Sequence, residues 1–282
     1  MFLVKYRYKS GVEGFCEEFG KTISFETESE AAEYAKNLNE SIDDNLKGFF
    51  PEWFPFEVKD ERNDADGRMK VLELFAGTRS IGKAFESKGH EVFSVEWDKD
   101  FENINLYEDI KNVTAEDIIQ LFGKPDVIWA SPDCSTFSVA AISKHRRKNK
   151  ETGSLEPISE YAKFCDEVDK HVLKLIEELN PQFWFIENPR GGMRKMSWMQ
   201  GLPRYTVTYC QYGERRMKPT DIWTNHPHPQ FKSPCKNGDS CHDAAPRGSQ
   251  TGTQALKNAK EKGIIPEALC QHIVDICEKY ID

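Results

Sequence analysis

The spacing of apolar residues changes near residue 69. Before that point apolar and polar positions alternate over Phe2 to Tyr8, and a second strand-like run covers Thr22 to Phe25. Thr27-x-x-Glu30 then has the form of a capping box. Ala31, Ala32, Tyr34, Ala35 and Leu38 give the helix that follows an apolar face. An aromatic run from Phe49 to Phe56 leads into a further short strand. These elements predict a small β/α module over residues 1–61, joined to the rest by a polar linker at 62–68. Its aromatic residues suit a small core better than a base-stacking surface.

From Met69 onward, short apolar runs alternate with helical periods. Lys70 to Phe75, Glu91 to Glu96, Asp126 to Ala130, Gln182 to Glu187 and Tyr205 to Cys210 read as strands. Ser80 to Lys88, Thr114 to Phe122 and Tyr161 to Leu179 read as helices. The alternation predicts an α/β domain over 69–282, with a mainly parallel sheet and helices on both faces. In such sheets ligands gather beyond the carboxyl ends of the strands.

Several strand ends carry chemistry. The first runs into Phe75-Ala76-Gly77-Thr78-Arg79, where Gly77 lets the backbone approach a ligand and the amides opening the next helix point at it. The second ends in Glu96-Trp97, a carboxylate suited to ribose hydroxyls beside a ring that can lie on a base. Asp109-Ile110 follows and offers an acceptor for an amino group. The third ends in Ser131-Pro132-Asp133-Cys134, which exposes a thiol, and the fourth in Glu187-Asn188-Pro189. Together they predict a nucleotide-like cofactor facing a nucleophile and an acid.

Composition limits the partners. A net charge of −9 argues against unspecific coating of nucleic acid, which needs clustered cations. A local basic face remains, in Lys144-His145-Arg146-Arg147-Lys148-Asn149-Lys150 just after the thiol. Eight cysteines without regular spacing, and charges where a signal core would lie in Met1 to Arg7, predict a reducing cytosol. No apolar run is long enough to span a bilayer, so no membrane is expected.

In order and spacing, the segments from about Met69 to Asp282 resemble the S-adenosylmethionine-dependent DNA cytosine-5 methyltransferase family. The resemblance implies a Rossmann-like class I methyltransferase sheet and S-adenosylmethionine as cofactor, bound by Phe75, Ala76, Gly77, Thr78, Arg79, Glu96, Trp97, Asp109, Ile110 and Pro132. It implies double-stranded DNA as partner and methyl transfer to C5 of a flipped cytosine. Cys134 would add covalently to the ring and Glu187 would contact its N3 and N4 edge. Arg215 or Arg216 would contact the pyrimidine oxygen and a phosphate, and the loop from Val139 to Ser159 would close over the base. The chain departs from the family at Arg79-Ser80, in place of a glycine pair, and at Asp133, just before the thiol. An adjacent carboxylate should raise the thiol pKa unless it points away.

The insertion at 226–253 is short where the family has a larger target-recognition domain, so sequence readout should be slight. The compact form is similar to phage enzymes and implies the cytoplasm of a prokaryotic or phage-infected cell. Within the insertion, Cys235, Cys241 and His242, with His226 and His228 nearby, offer ligands for a structural zinc. Two other readings are open: an exocyclic-amino DNA methyltransferase that needs no thiol, and an inert methyltransferase fold retained for DNA binding or regulation.

Overall fold

The computed structural model describes residues 2–7, 13–15, 17–18, 21–22, 24–25, 27–41, 52–57, 67–139, 141–151, 153–243 and 259–280. Parts of several expectations lie outside the described residues: most of the 62–68 linker, the insertion beyond Asp243, and Phe49 to Pro51 of the aromatic run. Chain contacts divide the protein into two units, Met1–Gly67 and Arg68–Asp282.

In the first unit, β1 (Phe2–Arg7) pairs antiparallel with β2 (Glu13–Phe15). The short strands β3 (Glu17–Glu18) and β4 (Lys21–Thr22) pair with each other, and β5 (Ser24–Phe25) returns to β1. Helix α1 (Glu28–Glu40) starts at Thr27, whose side chain and that of Glu30 each accept the other's backbone N–H. β6 (Glu52–Glu57) then pairs with β1 along its whole length. The strand therefore lies on the aromatic run itself, not after it. Val4, Ala31 and Ala35 form the core, with Tyr34, Leu38 and Trp53 packed around them.

The second unit is built on seven strands. β7 (Lys70–Leu74), β8 (Glu91–Glu96), β9 (Leu106–Tyr107), β10 (Val127–Ala130) and β13 (Phe183–Pro189) run parallel. Between β10 and β13 lie a small hairpin of β11 (Arg146–Lys148) and β12 (Leu155–Pro157), where the sequence reads as loop. β14 (Arg204–Thr208) and β15 (Pro219–Thr224) complete the sheet as an antiparallel pair. The order across the sheet is β14-β15-β13-β10-β7-β8-β9, so the mainly parallel sheet ends in an antiparallel hairpin.

Side chains alternate across the sheet with the period of two that strands impose. Leu72, Leu74, Ile128 and Ile186 face one core, shared with α3 (Ala115–Leu121) and α5 (Glu160–Leu179). Val71, Val127, Trp129 and Phe185 face the other, shared with α2 (Ser80–Ser87) and α7 (Glu267–Tyr280). Helices thus cover both faces, as expected for a Rossmann-like α/β sheet. Two shorter helices are α4 (Ile142–His145) and α6 (Ala259–Gly263). No helix among the described residues is long and apolar enough to cross a membrane.

Candidate active site

Register brings the chemical strand ends together. Leu74 lies beside Val95 on one side and beside Ala130 on the other, and Ala130 lies beside Ile186. Phe75, Glu96, Ser131 and Glu187 are each one residue further along neighbouring strands.

At the first strand end the backbone turns through left-handed conformations at Phe75, Gly77 and Arg79, with φ of 56°, 50° and 57°. Only Gly77 adopts this without steric cost. The Glu96 carboxylate fixes the turn: it accepts the Gly77 N–H at 3.0 Å, and those of Trp97 and Asp98 at 3.0 Å each. A cleft of about 300 Å³ opens beside it. Phe75, Glu96, Trp97, Asp109 and Ile110 meet in its wall, and Trp97 is 68% exposed, leaving its ring free to stack.

Ala76, Gly77, Thr78, Arg79 and Pro132 do not line this cleft. For Arg79 the reason is visible. Its guanidinium turns into the protein, donating to Ser94 Oγ at 2.9 Å and to Glu86. It also lies 3.9 Å from Glu73, whose carboxyl burial pushes up to about 7. A cofactor carboxylate would have to compete with these partners.

The rest of the cleft comes from residues that the sequence did not single out. Tyr161, Phe164, Cys165, Val168 and Asp169 all project from α5, and Asp133 of the thiol loop joins them in the wall. Asp169 is buried, its Oδ2 has no hydrogen-bond partner, and burial followed by the nearby Asp166 holds its carboxyl well above the usual range. An aromatic pair three residues apart at the start of an amphipathic helix was the available signal.

Cys134 sits four residues past the end of β10, in a turn closed by Phe137 N–H and Ser138 N–H donating to its carbonyl at 3.0 Å. Asp133 points away from the thiol: its carboxylate accepts from Ser135 and from Tyr161 Oη at 2.8 Å. The Cys134 thiol is nevertheless pushed up to about 11, first by burial, then by Glu187 and Asp133, with Lys218 opposing. The free protein therefore holds a neutral thiol at pH 7.

Glu187 is buried and accepts from Tyr209 Oη at 3.2 Å. Asn188, fully buried, donates to the Pro132 carbonyl at 3.0 Å and ties the carboxylate strand to the thiol loop. A second tie follows. The Gly192 N–H donates to the Phe137 carbonyl at 2.7 Å, and a Cβ at Gly191 would lie only 2.5 Å from that same oxygen. Glycine is needed there for the two loops to touch.

The basic run divides. Lys144, Arg147, Lys148 and Lys150 are exposed. Arg146 is buried: it donates to Thr136 Oγ1 at 2.9 Å and to Asp166 at 2.6 Å, and lies 4.0 Å over the Phe137 ring. The expectation that the whole run faces a nucleic acid is corrected at this residue, since a buried acid needs its one cation. Arg215 is exposed and paired with Asp243. Arg216 is buried against Glu214 and keeps Nη1 without a partner. Cys235, Cys241 and His242 lie together, joined by Cys210, which the sequence reading had placed in a strand. His226 and His228 are elsewhere; the His226 ring faces the Ile276 carbonyl, Phe183 and Tyr280.

Residues 69–197 match the protein family described as C-5 cytosine-specific DNA methylase. Over 231 residues the chain is 26% identical to a Frog virus 3 (isolate Goorha) protein named "Probable DNA (cytosine-5)-methyltransferase", a match spanning 74% of this chain and 100% of the viral one. Solved structures are also similar. The S. pombe Dnmt2 methyltransferase is 16% identical at a TM-score of 0.40, covering 56% of this chain and 50% of that one. The Entamoeba histolytica methyltransferase EhMeth is 14% identical at a TM-score of 0.40, covering 56% and 52%. The match spans about half the length of each solved chain.

Proposed function

We propose that this chain, whose residues 69–197 match the C-5 cytosine-specific DNA methylase family, methylates C5 of a cytosine turned out of double-stranded DNA, with Cys134 as covalent nucleophile. The observation that supports this most is the tie from Asn188 to Pro132, which holds a thiol and a buried carboxylate at neighbouring strand ends. An exocyclic-amino methyltransferase has no use for that pair.

The cleft suits S-adenosylmethionine. Its wall offers an exposed indole, carboxylates at two successive strand ends, and in Asp169 a buried oxygen without a partner. Glu96 would hold the ribose, Trp97 and Phe75 the base faces, and Asp109 with Ile110 the adenine edge. When bound, the cofactor supplies an electrophilic methyl group. Removing the Glu96 carboxylate is expected to weaken binding of the demethylated cofactor by about 10- to 150-fold, as for a lost charged hydrogen bond of roughly 1.5–3 kcal/mol. Calorimetry on Glu96→Ala measures it, and unchanged affinity would remove Glu96 from the site.

The chain's own groups divide the remaining work. Cys134 must pass its proton to the base and its Glu187 partner and form a bond to C6, which makes C5 nucleophilic; after methyl transfer the C5 proton is lost to water and the thiolate is expelled. A thiol held near 11 cannot do this alone. Glu187 is both a cause of that high pKa and the group facing the ring. With the base bound, the proton that Cys134 gives up passes to the pair formed by the Glu187 carboxylate and ring N3, which relieves the carboxylate's charge beside the sulfur and leaves the ring electron-poor enough to accept the thiolate. The thiolate then forms when the base is present. Lys218 opposes the carboxylates as the cation acting on the thiol, a role the sequence reading passed over.

Arg216, with a buried unpaired Nη1, is the better of the two arginines for the pyrimidine oxygen, and exposed Arg215 suits a phosphate. Exposed Lys144, Arg147, Lys148 and Lys150 supply the cationic face toward DNA. Nucleoside mass spectrometry of DNA incubated with the protein and S-adenosylmethionine is expected to show 5-methylcytosine. N4-methylcytosine in its place would move the chain to the amino-methyltransferase reading.

A further inference from the structure

Outside the cleft, a close group of metal-ligating atoms among the described residues lies where the antiparallel hairpin meets the loop after β15. The Sγ atoms of Cys210, Cys235 and Cys241 and one ring nitrogen of His242 all lie within 4.8 Å of one another. We propose that these four side chains bind one zinc ion, clasping the 226–243 loop to the turn that carries Arg215 and Arg216.

Three of the separations are close to the edges of a zinc-centred tetrahedron. Zinc bonds of about 2.3 Å to sulfur and 2.0–2.1 Å to nitrogen require edges of about 3.8 Å between sulfurs and about 3.6 Å between sulfur and nitrogen. The His242 Nδ1 lies 3.6 Å from Cys235 Sγ and 3.5 Å from Cys241 Sγ. Cys241 Sγ lies 3.6 Å from Cys210 Sγ. The edge from Cys210 to Cys235 is 3.1 Å, shorter than the ideal edge and well beyond a disulfide bond of about 2.05 Å. Three sulfurs and an imidazole select zinc over magnesium or calcium, which take oxygen donors.

The backbone around the cluster is arranged to deliver the ligands. Cys210 belongs to a helical turn, Tyr209–Tyr212, that directly follows β14, and is buried. Cys235 is held by its N–H donating to Thr208 Oγ1 at 3.0 Å, at the end of that strand. A tight turn then reverses the chain: the Asp239 N–H donates to the Lys236 carbonyl at 3.1 Å, and Gly238 takes φ +92°. This turn closes the five-residue gap between Cys235 and Cys241. Gln211 Nε2 lies 3.4 Å from Cys241 Sγ, the kind of outer contact that orients a thiolate ligand.

The loop has little else to order it. Between Lys232 and Asp243 only Cys235 and His242 are even partly buried, so no apolar core forms there. A metal supplies the missing cohesion, as in small zinc-bound segments generally. The clasp reaches the Arg215 turn, because the Asp243 N–H donates to the Arg215 carbonyl at 2.9 Å and the Asp243 side chain pairs with Arg215. Spacing within 226–253 could not reveal Cys210, which lies on the far side of β15.

The full chain, purified with reductant and without chelator, tests this by elemental analysis and cobalt substitution. About one zinc per chain is expected, and the cobalt form should show thiolate-to-metal charge transfer. Cys210→Ser should lower that band by about a third and weaken zinc retention against a competing chelator at least tenfold. Cys277→Ala, a buried cysteine of α7, should retain full zinc. Should Cys210→Ser fold poorly, chelator titration of the wild-type protein provides the second measurement, releasing zinc and exposing the 232–243 loop to protease. Protein without zinc, or with a Cys210–Cys235 disulfide found by mass spectrometry, overturns the proposal. So does a Cys210→Ser protein whose zinc affinity is unchanged.

Discussion

Arg146→Ala is expected to lower the thermal midpoint of the protein by roughly 10 °C and to impair the thiol loop together with it. Its side chain is fully buried against Asp166, whose own side chain is only 8% exposed. Removing one member of such a pair leaves the other charge stranded, at a cost of about 3–5 kcal/mol. For a domain of this size each kcal/mol moves the midpoint by about 2–4 °C. The same guanidinium donates to the carbonyl and hydroxyl of Thr136, two residues after Cys134, so the loss is carried to the nucleophile's turn. Arg147→Ala and Lys148→Ala should leave the midpoint within about 2 °C and flatten the salt dependence of DNA binding. Calorimetric melting and salt titrations separate the two roles. Equal melting behaviour in all three variants would show that Arg146 is an ordinary surface cation.

A larger effect on rate is expected at Cys134. Cys134→Ala should reduce methylation on the order of 10⁴- to 10⁶-fold, as when a covalent nucleophile is lost. Glu187→Gln should divide two measurements that normally move together. Turnover should fall, because the ring loses its acid. Alkylation of Cys134 by iodoacetamide in the free protein should become faster. The sign follows from the charges: the Glu187 carboxylate raises the thiol pKa, so neutralising it lowers that pKa from about 11 and increases the thiolate fraction at any pH below it. In the wild-type protein the alkylation rate should rise about tenfold per pH unit from 7 toward 10. A Glu187→Gln protein alkylated more slowly than wild type would remove Glu187 from the thiol's surroundings.

Much of the fold was legible because burial on both faces gives parallel strands an unmistakable apolar run, and their ends fell where the runs stop. The placement of Glu96 and Glu187 at strand ends, and of Cys134 four residues past one, was legible that way, whereas Asp109 follows the two-residue strand β9, which has no such run. The hairpin of β14 and β15 was not, since the second strand, Pro-Thr-Asp-Ile-Trp-Thr, mixes polar and apolar residues without a clear period. Lys218, Tyr209 and Cys210 acquire their surroundings through that hairpin and were missed with it. Arg146 and Arg79 were hidden for another reason. A cation in a basic run, as at Arg146, or in a strand-end turn, as at Arg79, reads as facing solvent or ligand, and nothing in its local order tells that it will find a buried acid such as Asp166 or Glu73 and turn inward. The α5 contribution to the cleft was unseen because Tyr161, Phe164 and Asp169 look like positions on an ordinary amphipathic helix.

Covalent addition by Cys134 is the central claim, and a substrate carrying 5-fluorocytosine at the target position tests it most directly. Fluorine at C5 cannot leave as a cation after methyl transfer, so the sulfur has no path to expulsion and the enzyme stays bonded to DNA. The account predicts a protein–DNA band that survives denaturing electrophoresis, accumulates only with S-adenosylmethionine, slows in Glu187→Gln and is absent in Cys134→Ser. Normal methylation of ordinary cytosine with no trapped species on the fluorinated substrate would contradict it.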